Sequence, residues 1–458
     1  MADQQFDIVV LGGGSAGYAA ALRANQLGFS AAVIEKDKLG GTCLHRGCVP
    51  TKALLHSAEV ADVARGGAAH RLQSSVSGID MEAVNAFRVN LVAGKFKGLQ
   101  GLIKANGITV IEGEGRLVSP TTVQVGADQI VGKHVVLATG SYSRSLPGLE
   151  IGGRVITSEE ALELNEVPSK VVVLGGGVIG VEFASVWRSF GAEVTIVEGL
   201  PHLVPNEEES VSKQLERAFR KRGITARTGT PFQSVKTTDD GVAVTVEGGD
   251  VLEAELLLVA VGRGPVTDGL GYEEQGLRLD RGFVVTDERC RTGVEGVYAV
   301  GDITPGPQLA HRGFAQGIFV AEDIAGLDPR PIDLDGIPRV TYSSPEVASV
   351  GLSEAQAIER FGAEAVDTVT YDLGGNGRSQ IRRTQGFVKL VRRDRGPVVG
   401  VHLVGDGVGE LIGEAQLIYG WEGHAEDVAP LVHAHPTQNE ALGEAHLALA
   451  GKPLHAHS

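Results

Sequence analysis

The stretch Phe6-Asp-Ile-Val-Val-Leu-Gly12-Gly-Gly14-Ser-Ala-Gly17 determines how the first part of this 458-residue chain folds. Its apolar, β-branched start is typical of a buried parallel strand. The three spaced glycines permit a tight turn and let backbone N–H groups approach a pyrophosphate at the start of a helix, which we expect to run to about Leu27. Ala31–Glu35 then predicts a second strand, and the acid at its end can bond a ribose diol. One such fingerprint is weak, because a strand, turn and helix also occur without a ligand.

The same pattern occurs again 163 residues further along the chain. Val171–Leu174 predicts a strand, the glycines Gly175, Gly177 and Gly180 repeat the spacing, and a second strand ends at Glu198. Two fingerprints with identical internal spacing predict two dinucleotide sites, and therefore two cofactors that exchange electrons. Because the first site is followed closely in the sequence by Cys43 and Cys48, we expect FAD there and a nicotinamide cofactor at the second site.

Glu198 indicates which nicotinamide cofactor binds. A carboxylate accepts hydrogen bonds from a free ribose 2′-OH but repels a 2′-phosphate. Residues 199–206 contain no Arg or Lys that could hold that phosphate. The sequence therefore predicts NAD rather than NADP.

Two of the chain's three cysteines lie in Leu39-Gly-Gly-Thr-Cys43-Leu-His-Arg-Gly-Cys48-Val-Pro-Thr-Lys52, which predicts a loop that turns into a helix. Pro50 suits a first helical turn, so Cys48 should lie near a helix N-terminus, where the dipole and free N–H groups favour a thiolate. A zinc half-site and two buried apolar cysteines are the alternatives. Zinc needs four ligands, and the sequence has no second cysteine pair. Cys290 is interpreted as an ordinary thiol.

Composition narrows the class of protein. The net charge of −16 argues against a nucleic-acid surface. No apolar run reaches the ~18 residues of a membrane span, and the first residues carry neither a basic nor an apolar signal segment. Three cysteines do not make a secreted disulfide framework. We therefore expect a cytoplasmic enzyme without a membrane or nucleic-acid partner.

The rest of the chain predicts an α/β protein with two Rossmann-like dinucleotide-binding domains and a C-terminal α+β domain. Beyond about Pro331 the pattern changes to antiparallel strands, at 338–350, 386–391 and 398–404, followed by helices at 409–421 and 440–450. Residues 64–70 read as a loose loop. The predicted segments are an FAD-binding domain in two parts (1–143 and 267–332), an NAD-binding domain (144–266) and an interface domain (333–458).

The motif Gly-Gly-Thr-Cys43-x4-Cys48-x-Pro-x-Lys52 resembles the redox-active disulfide of the flavoprotein disulfide reductases, and the motifs from Phe6 to Pro453 follow that family's order. The resemblance implies a Cys43–Cys48 disulfide in which Cys48 faces the flavin and Cys43 exchanges with substrate. The family's His-Pro-x-x-x-Glu motif matches His435 as the base and Glu440 as the group that orients it. In the family this base reaches the disulfide of the partner subunit, so a homodimer is implied.

The resemblance also assigns the cofactor residues. The FAD site, with one non-covalent FAD per subunit, comprises Gly12, Gly14, Gly17, Glu35, Lys52, Gly115, Thr139, Gly140, Asp302 and Ala310. The NAD site comprises Gly175, Gly177, Gly180, Glu182, Glu198 and Gly262. Lys52 is expected at the flavin with Glu182 as its partner, against the alternative of two surface helix charges. For Asp302 the alternative is a simple turn or an N-cap. No metal is expected.

Within the family, the NAD preference and the run His433-Ala-His435-Pro-Thr favour oxidation of protein-bound dihydrolipoamide. That function implies the lipoyl domain and acyltransferase core of 2-oxo acid dehydrogenase complexes as partners. The alternatives are another NAD(P)H-linked flavoprotein disulfide reductase or a flavin-bearing docking subunit of a multienzyme complex. Two pairs depart from the family pattern: Gln438-Asn439 replaces the commoner Leu-Ser, and Gly264-Pro265 replaces Arg-Pro.

Overall fold

The computed structural model describes residues 4–455, so the outermost residues of the first and last predicted segments, 1–3 and 456–458, lie outside the described part. The chain divides into two compact units. The first comprises Met1–Ala53, Glu82–Arg144 and Gly262–Leu334. The second comprises Leu54–Met81, Ser145–Val261 and Asp335–Ser458.

The strands in chain order are β1 (Gln4–Leu11), β2 (Ala31–Glu35), β3 (Thr109–Glu112), β4 (Gly115–Ser119), β5 (Thr122–Val125), β6 (Asp128–Leu137), β7 (Ser141–Ser143), β8 (Val155–Ile156), β9 (Lys170–Leu174), β10 (Glu193–Val197), β11 (Ile224–Arg227), β12 (Phe232–Thr237), β13 (Val242–Val246), β14 (Val251–Ala254), β15 (Leu256–Val259), β16 (Arg263–Pro265), β17 (Leu279–Asp280), β18 (Phe283–Val284), β19 (Val297–Ala299), β20 (Arg339–Thr341), β21 (Glu346–Gly351), β22 (Val366–Asp372), β23 (Phe387–Arg393) and β24 (Val398–Gly405).

The α-helices are α1 (Ser15–Gln26), α2 (Gly41–His45), α3 (Cys48–Arg65), α4 (Met81–Ala105), α5 (Ser158–Ala161), α6 (Val178–Phe190), α7 (Glu209–Arg222), α8 (Ala310–Ile324), α9 (Glu354–Phe361), α10 (Gly377–Arg382), α11 (Ile412–Gly420), α12 (Ala425–Val428) and α13 (Glu440–Leu449). Short 3₁₀ turns lie at Gly66–His70, Glu273–Gln275, Gly301–Ile303, Ala363–Ala365, Leu373–Gly375 and Val408–Glu410.

The first unit is built on a mixed sheet of order β3-β2-β1-β6-β5-β4, with β19 also paired to β6. The strands β3, β2, β1, β6 and β19 run parallel, whereas β4 and β5 form an antiparallel meander with β6. The central strands are apolar on both faces, as a parallel sheet covered by other structure requires. The carboxyl ends of β1, β2 and β6 therefore meet at one edge of the sheet.

The second unit repeats this arrangement in the parallel sheet β11-β10-β9-β15-β8. Its other large sheet is antiparallel, in the order β20-β21-β24-β23-β22, and packs against α11 and α13 through side chains such as Leu390, Leu403, Ala415 and Leu442. The three-stranded sheet β12-β13-β14 completes the unit. The predicted α/β class, with a duplicated parallel-sheet unit followed by antiparallel strands, is confirmed.

Element bounds follow the sequence prediction closely, with two corrections. The expected loop at residues 64–70 is instead the end of α3 followed by a 3₁₀ turn, in which Arg71 N–H donates to Ala68 O at 3.1 Å. The stretch 338–350 forms two strands, because the turn between them contains Pro345, which has no N–H to donate to the sheet. Several elements had not been predicted, among them helices α2, α7 and α9, the strands β12, β13 and β14, and the edge strand β22. In residues 4–455, no helix is long and apolar enough to cross a membrane.

Helices α1 and α8 lie in direct backbone contact in the first unit. A Cβ at Gly317 would lie 2.3 Å from Ala16 O, and one at Gly313 would lie 3.3 Å from Ala16 N. The contact joins the early part of α8 to the second residue of α1. Glycine is therefore required in α8 by the close approach of two helix backbones.

We predict that Gly317→Ala lowers the thermal denaturation midpoint, because overpacking of this kind costs about 1–3 kcal/mol. Gly98→Ala in α4 is the matched control, since its Cβ would meet no heavy atom within 4 Å among the described residues. That change should stabilise the protein by about 0.5–1 kcal/mol. Equal midpoints for Gly317→Ala and the unmodified protein would show that the helix contact relaxes without cost.

Candidate functional site

The two motif cysteines lie beside the first glycine fingerprint. Gly40 and Gly41 have φ values of +100° and +58°, which favour glycine, and lead into α2. The Gly40 N–H donates to Gly13 O at 2.8 Å, and a Cβ at Gly41 would lie 2.8 Å from the Cα of Gly14. This backbone contact holds the cysteine segment against the predicted pyrophosphate loop.

Cys48 is the first residue of α3, and the sulfur of Cys43 lies near disulfide-bonding distance from it. A hydrogen bond with Cys48, followed by burial, raises the pKa of the Cys43 thiol far above its usual range. In a reduced pair, Cys43 therefore keeps its proton. Cys48, at the positive end of the helix dipole, is the better position for a thiolate.

The first fingerprint has the geometry of a dinucleotide loop. Gly12 has a φ of +106°, and a Cβ there would lie 2.2 Å from Ala138 O. A Cβ at Gly17 would lie 1.8 Å from Gly12 O. At Gly14, the N-cap of α1, a Cβ would find open space among the described residues. The outer glycines are thus required by packing, and the middle one leaves the helix N-terminus accessible to an anion.

Glu35 closes this loop from the end of β2. Its Oε2 accepts a hydrogen bond from Gly13 N–H at 2.7 Å, and its Oε1 accepts one from Asp37 N–H at 2.9 Å. Burial raises the pKa of Glu35, and backbone hydrogen bonds from Gly13 and Lys36 oppose that shift. The carboxylate is therefore fixed beside the glycine turn.

Other residues expected at the FAD site meet at the carboxyl ends of β6 and β19. Asp302 lies in the 3₁₀ turn after β19, where its Oδ2 accepts a hydrogen bond from Ser141 Oγ at 2.6 Å. Thr139 donates to Val266 O at 2.6 Å, and Gly140 has a φ of +79°. Ser141 had not been predicted, although it directly follows Thr139-Gly140.

Two further residues expected at this site have different surroundings. Ala310 begins α8, whose N-cap Leu309 provides no side-chain capping bond. Gly115 begins β4, where a Cβ would lie 2.6 Å from Leu11 Cδ1 and 3.0 Å from Ile34 Cγ2. The absence of a side chain at Gly115 is therefore explained by packing against the core.

The second fingerprint repeats the first in its details. Gly175 has a φ of +108°, with a Cβ position 2.4 Å from Ala260 O, and a Cβ at Gly180 would lie 2.0 Å from Gly175 O. Gly177 is the N-cap of α6 and has open space beside it among the described residues. Glu198 accepts hydrogen bonds from Gly176 N–H at 2.6 Å and Leu200 N–H at 2.7 Å. Glu198 therefore occupies the position in this unit that Glu35 occupies in the first.

The segment after Glu198 has one potentially cationic side chain, His202. Its ring nitrogens lie 3.4 Å from Glu216 Oε1 and 3.6 Å from Glu209 Oε1. Two carboxylates thus surround the residue that could otherwise attract a 2′-phosphate. Gly262, also expected at the NAD site, has a φ of +104° and accepts a hydrogen bond from Arg144 N–H.

Lys52 and Glu182 belong to different units. Lys52 lies in α3 and is half-buried. Glu182 lies in α6, is 2% exposed, and accepts a hydrogen bond from Tyr342 N–H at 2.9 Å. Neither residue is an exposed surface charge, and their mutual pairing stays a prediction.

His435 and Glu440 form the predicted dyad in the second unit. His435 Nδ1 lies 2.7 Å from Glu440 Oε1, while Glu440 Oε2 accepts a hydrogen bond from Thr437 N–H at 2.8 Å. Burial raises the pKa of Glu440, but the bonds from Thr437 and His435 outweigh it and lower the pKa overall. The His435 side chain is 76% exposed. An oriented imidazole with a free edge is the geometry that a general base requires.

The neighbouring His433 has a separate partner. Its Nε2 lies 2.8 Å from Glu414 Oε1, and only 11% of its side chain is exposed. The structure therefore distinguishes the two histidines, because His433 is enclosed and His435 is open. Glu414 had not been identified from the sequence. Among residues 4–455, no group of three or more His, Cys, Asp or Glu could hold a metal ion.

Comparisons with known proteins identify the family of this chain. Residues 6–317 match the family described as pyridine nucleotide-disulphide oxidoreductase, and residues 337–446 match the dimerisation domain of that family. The mitochondrial dihydrolipoyl dehydrogenase of Pisum sativum is 40% identical over 465 residues, covering 98% of this chain and 92% of its own. A dihydrolipoyl dehydrogenase of Bacillus subtilis is 39% identical over 472 residues, covering 98% of this chain and 99% of its own.

Solved structures show the same fold. The crystal structure of LpdA from Mycobacterium tuberculosis superposes with a TM-score of 0.90 at 29% identity, covering 97% of this chain and 99% of its own. A second solved structure is the Cu(II) complex of the HOCl-induced flavoprotein disulfide reductase RclA from Escherichia coli. Its TM-score is 0.87 at 25% identity, and the match covers 98% of this chain and 100% of its own. The predicted family is thus confirmed: the chain is an oxidoreductase that belongs to the pyridine nucleotide-disulphide oxidoreductase family.

Proposed function

We propose that this chain oxidises protein-bound dihydrolipoamide to lipoamide with NAD⁺, through a Cys43–Cys48 disulfide and FAD. The observation that carries the proposal is the contact of this cysteine pair with the first of two equivalent dinucleotide loops. The identity of about 40% to dihydrolipoyl dehydrogenases over nearly the full chain supports the substrate. These relatives disfavour both alternatives, a different flavoprotein disulfide reductase and a flavin-bearing docking subunit.

The residues of both loops fit the two cofactors. For FAD, the proposed residues are Gly12, Gly14, Gly17, Glu35, Lys52, Gly115, Thr139, Gly140, Asp302 and Ala310; for NAD⁺ they are Gly175, Gly177, Gly180, Glu182, Glu198 and Gly262. The uncapped helix N-termini behind Gly14 and Gly177 suit pyrophosphates, and the fixed carboxylates of Glu35 and Glu198 suit ribose hydroxyls. FAD held by these residues would supply a two-electron acceptor for the reduced cysteine pair and a hydride donor for NAD⁺.

The cysteines and the dyad carry out the dithiol chemistry. His435 removes a proton from one substrate thiol, and the resulting thiolate attacks Cys43 Sγ. The Cys43–Cys48 bond breaks, and Cys48 leaves with the electron pair as a thiolate. The second substrate thiol then attacks the mixed disulfide, closing the lipoamide ring and releasing Cys43, which takes up the second proton. The raised pKa of Cys43 supports this final distribution of charge.

The proposed organisation has four segments: FAD-binding regions at 1–143 and 267–332, an NAD-binding domain at 144–266 and an interface domain at 333–458. The match of residues 337–446 to a dimerisation domain supports a homodimer. We further propose the lipoyl domain and acyltransferase core of a 2-oxo acid dehydrogenase complex as partners. A cytoplasmic location is proposed because a reducing compartment suits an exchanging cysteine pair.

We predict that dihydrolipoamide supports NAD⁺ reduction with a kcat/KM well above that of dithiothreitol or other dithiols. Replacing NAD⁺ by NADP⁺ should lower kcat/KM strongly, because Glu198 repels a 2′-phosphate. The steady-state rate of NADH or NADPH formation, followed by absorbance, gives kcat/KM for each dithiol and for each coenzyme. Equal rates with all dithiols would contradict the substrate, and equal kcat/KM for the coenzymes would contradict the role of Glu198.

The two sulfurs should behave differently when replaced. Upon anaerobic two-electron reduction, the unmodified protein should show a long-wavelength absorbance from a thiolate in contact with flavin. Cys48→Ser should abolish it, because the thiolate at the start of α3 is lost, while Cys43→Ser should retain it. Identical spectra for the two variants would refute the proposed roles.

His435→Gln should reduce dithiol oxidation by a factor of about 10² to 10⁴, the usual effect of removing a positioned acid–base group. Electron transfer from NADH to ferricyanide should persist, since it needs no proton transfer by His435. Mixing His435→Gln chains with Cys48→Ser chains under subunit exchange should restore about a quarter of the unmodified activity, because half of the dimers would each have one intact site. No recovery despite demonstrated exchange would place the base and the disulfide in the same chain.

A further inference from the structure

The base His435 lies on an exposed segment, Leu431–Thr437, which we call the base loop. The side chains of Leu431 and Val432 are 59% and 98% exposed, so they make little contact with the core of their unit. His435 itself is 76% exposed. Within the chain, the side-chain bonds that join this loop to neighbouring helices and loops therefore lie near its two ends.

A single carboxylate bonds residues on both sides of His435. Glu414, in α11, places Oε1 2.8 Å from His433 Nε2 and accepts a hydrogen bond at Oε2 from Asn439 Nδ2 at 2.5 Å. His433 precedes the base by two residues, and Asn439 is the N-cap of α13, which carries Glu440. Glu414 thus joins the start of the base loop to the helix that holds the other member of the dyad.

The surroundings strengthen this bridge. The ring of His433 packs on the backbone of α13, where a Cβ at Gly443 would lie 2.5 Å from His433 Nδ1. His446, one turn further along α13, is fully buried, and burial lowers its pKa, so it is neutral near pH 7. The Glu414 side chain itself is 28% exposed, so its charge-assisted hydrogen bonds form in a partly buried position.

The C-terminal end of the base loop has a second attachment. Gln438 is 8% exposed, and its Nε2 donates to Asp406 O at 2.5 Å. On the N-terminal side, the side-chain attachment is the bond from His433 to Glu414. Loss of Glu414 would therefore remove the hydrogen bonds to His433 and Asn439, while Gln438 would still hold the C-terminal end of the loop.

We propose that Glu414 is a positioning residue, which holds the base loop so that His435 stays paired with Glu440 and directed toward the dithiol. The inference rests on the proposed function. In this proposal Glu414 supports the dyad of His435 and Glu440 through its hydrogen bonds to His433 and Asn439. Glu414 itself does not contact the substrate.

The test compares Glu414→Gln with Asn439→Ala, using Glu422→Gln, an exposed glutamate just after α11, as the control. A Gln amide has no negative charge and keeps one carbonyl oxygen as an acceptor, while an NH₂ group replaces the second carboxylate oxygen. Glu414→Gln should lower kcat for dihydrolipoamide oxidation about 10- to 100-fold, the range expected for a misplaced catalytic group. Asn439→Ala should lower it about 3- to 10-fold, as loss of one hydrogen bond would.

Two readouts separate positioning from general destabilisation. Flavin content and NADH-to-ferricyanide activity should equal those of Glu422→Gln. In a His435→Gln background, Glu414→Gln should have no further effect on dithiol oxidation, because both changes act through the same base. Multiplicative losses in the double variant, or parallel loss of ferricyanide activity, would overturn the proposal.

The remaining outcomes are also decisive. Unchanged dithiol oxidation in Glu414→Gln would refute the positioning role alone. Unchanged oxidation in His435→Gln would instead refute the base assignment of the proposed function. If Glu414→Gln does not fold, Asn439→Ala tests the proposal in its place. Asn439→Ala must then lower kcat in the chain that retains His435, and must leave kcat unchanged in the His435→Gln background.

Discussion

The contact between the backbone at Gly40–Gly41 and the backbone at Gly13–Gly14 is the constraint on which the redox site depends. Gly40 N–H bonds Gly13 O at 2.8 Å, and Gly41 approaches Gly14 so closely that no side chain fits between them. This contact joins the segment that carries Cys43 and Cys48 to the loop that precedes α1. An electron carrier bound at that loop would therefore lie beside the cysteines. The positive φ values of Gly40 and Gly41 are the local conformations that make the approach possible.

Duplication explains much of the remaining structure. In each fingerprint the first glycine lies against a carbonyl of a neighbouring strand end, and the third lies against the carbonyl of the first. In each, a glutamate at the end of the following strand accepts two backbone hydrogen bonds. The two units nevertheless differ beyond these loops, because the first adds a cysteine pair and the second adds a His–Glu dyad. Similar binding geometry thus serves two different tasks in the proposed reaction.

In the C-terminal part of the second unit, glutamate carboxylates lie within hydrogen-bonding distance of histidine side chains. His435 and His433 are only two residues apart, yet they bond different glutamates and differ greatly in exposure. Glu440 is close to His435 in sequence, and the motif predicted that pair. Glu414 lies in another helix, so its bridge to His433 and Asn439 depends on how α11 packs against α13. Asn439, one of the departures from the family pattern, is part of that bridge.

The sequence alone determined the strands and helices around both fingerprints, the position of Cys48 at the start of α3 shortly after Cys43, and the pairing of His435 with Glu440, because these features depend on residues close together in the chain. Local periodicity did not identify β22, which is an edge strand of mixed exposure, or the helical turn at 66–70. Only the tertiary structure decided the contact of Gly41 with Gly14, the bond between Ser141 and Asp302, and the bridge from Glu414 to His433 and Asn439. These interactions join residues that the chain brings together only after its sheets and helices have packed, and no local pattern encodes such distances.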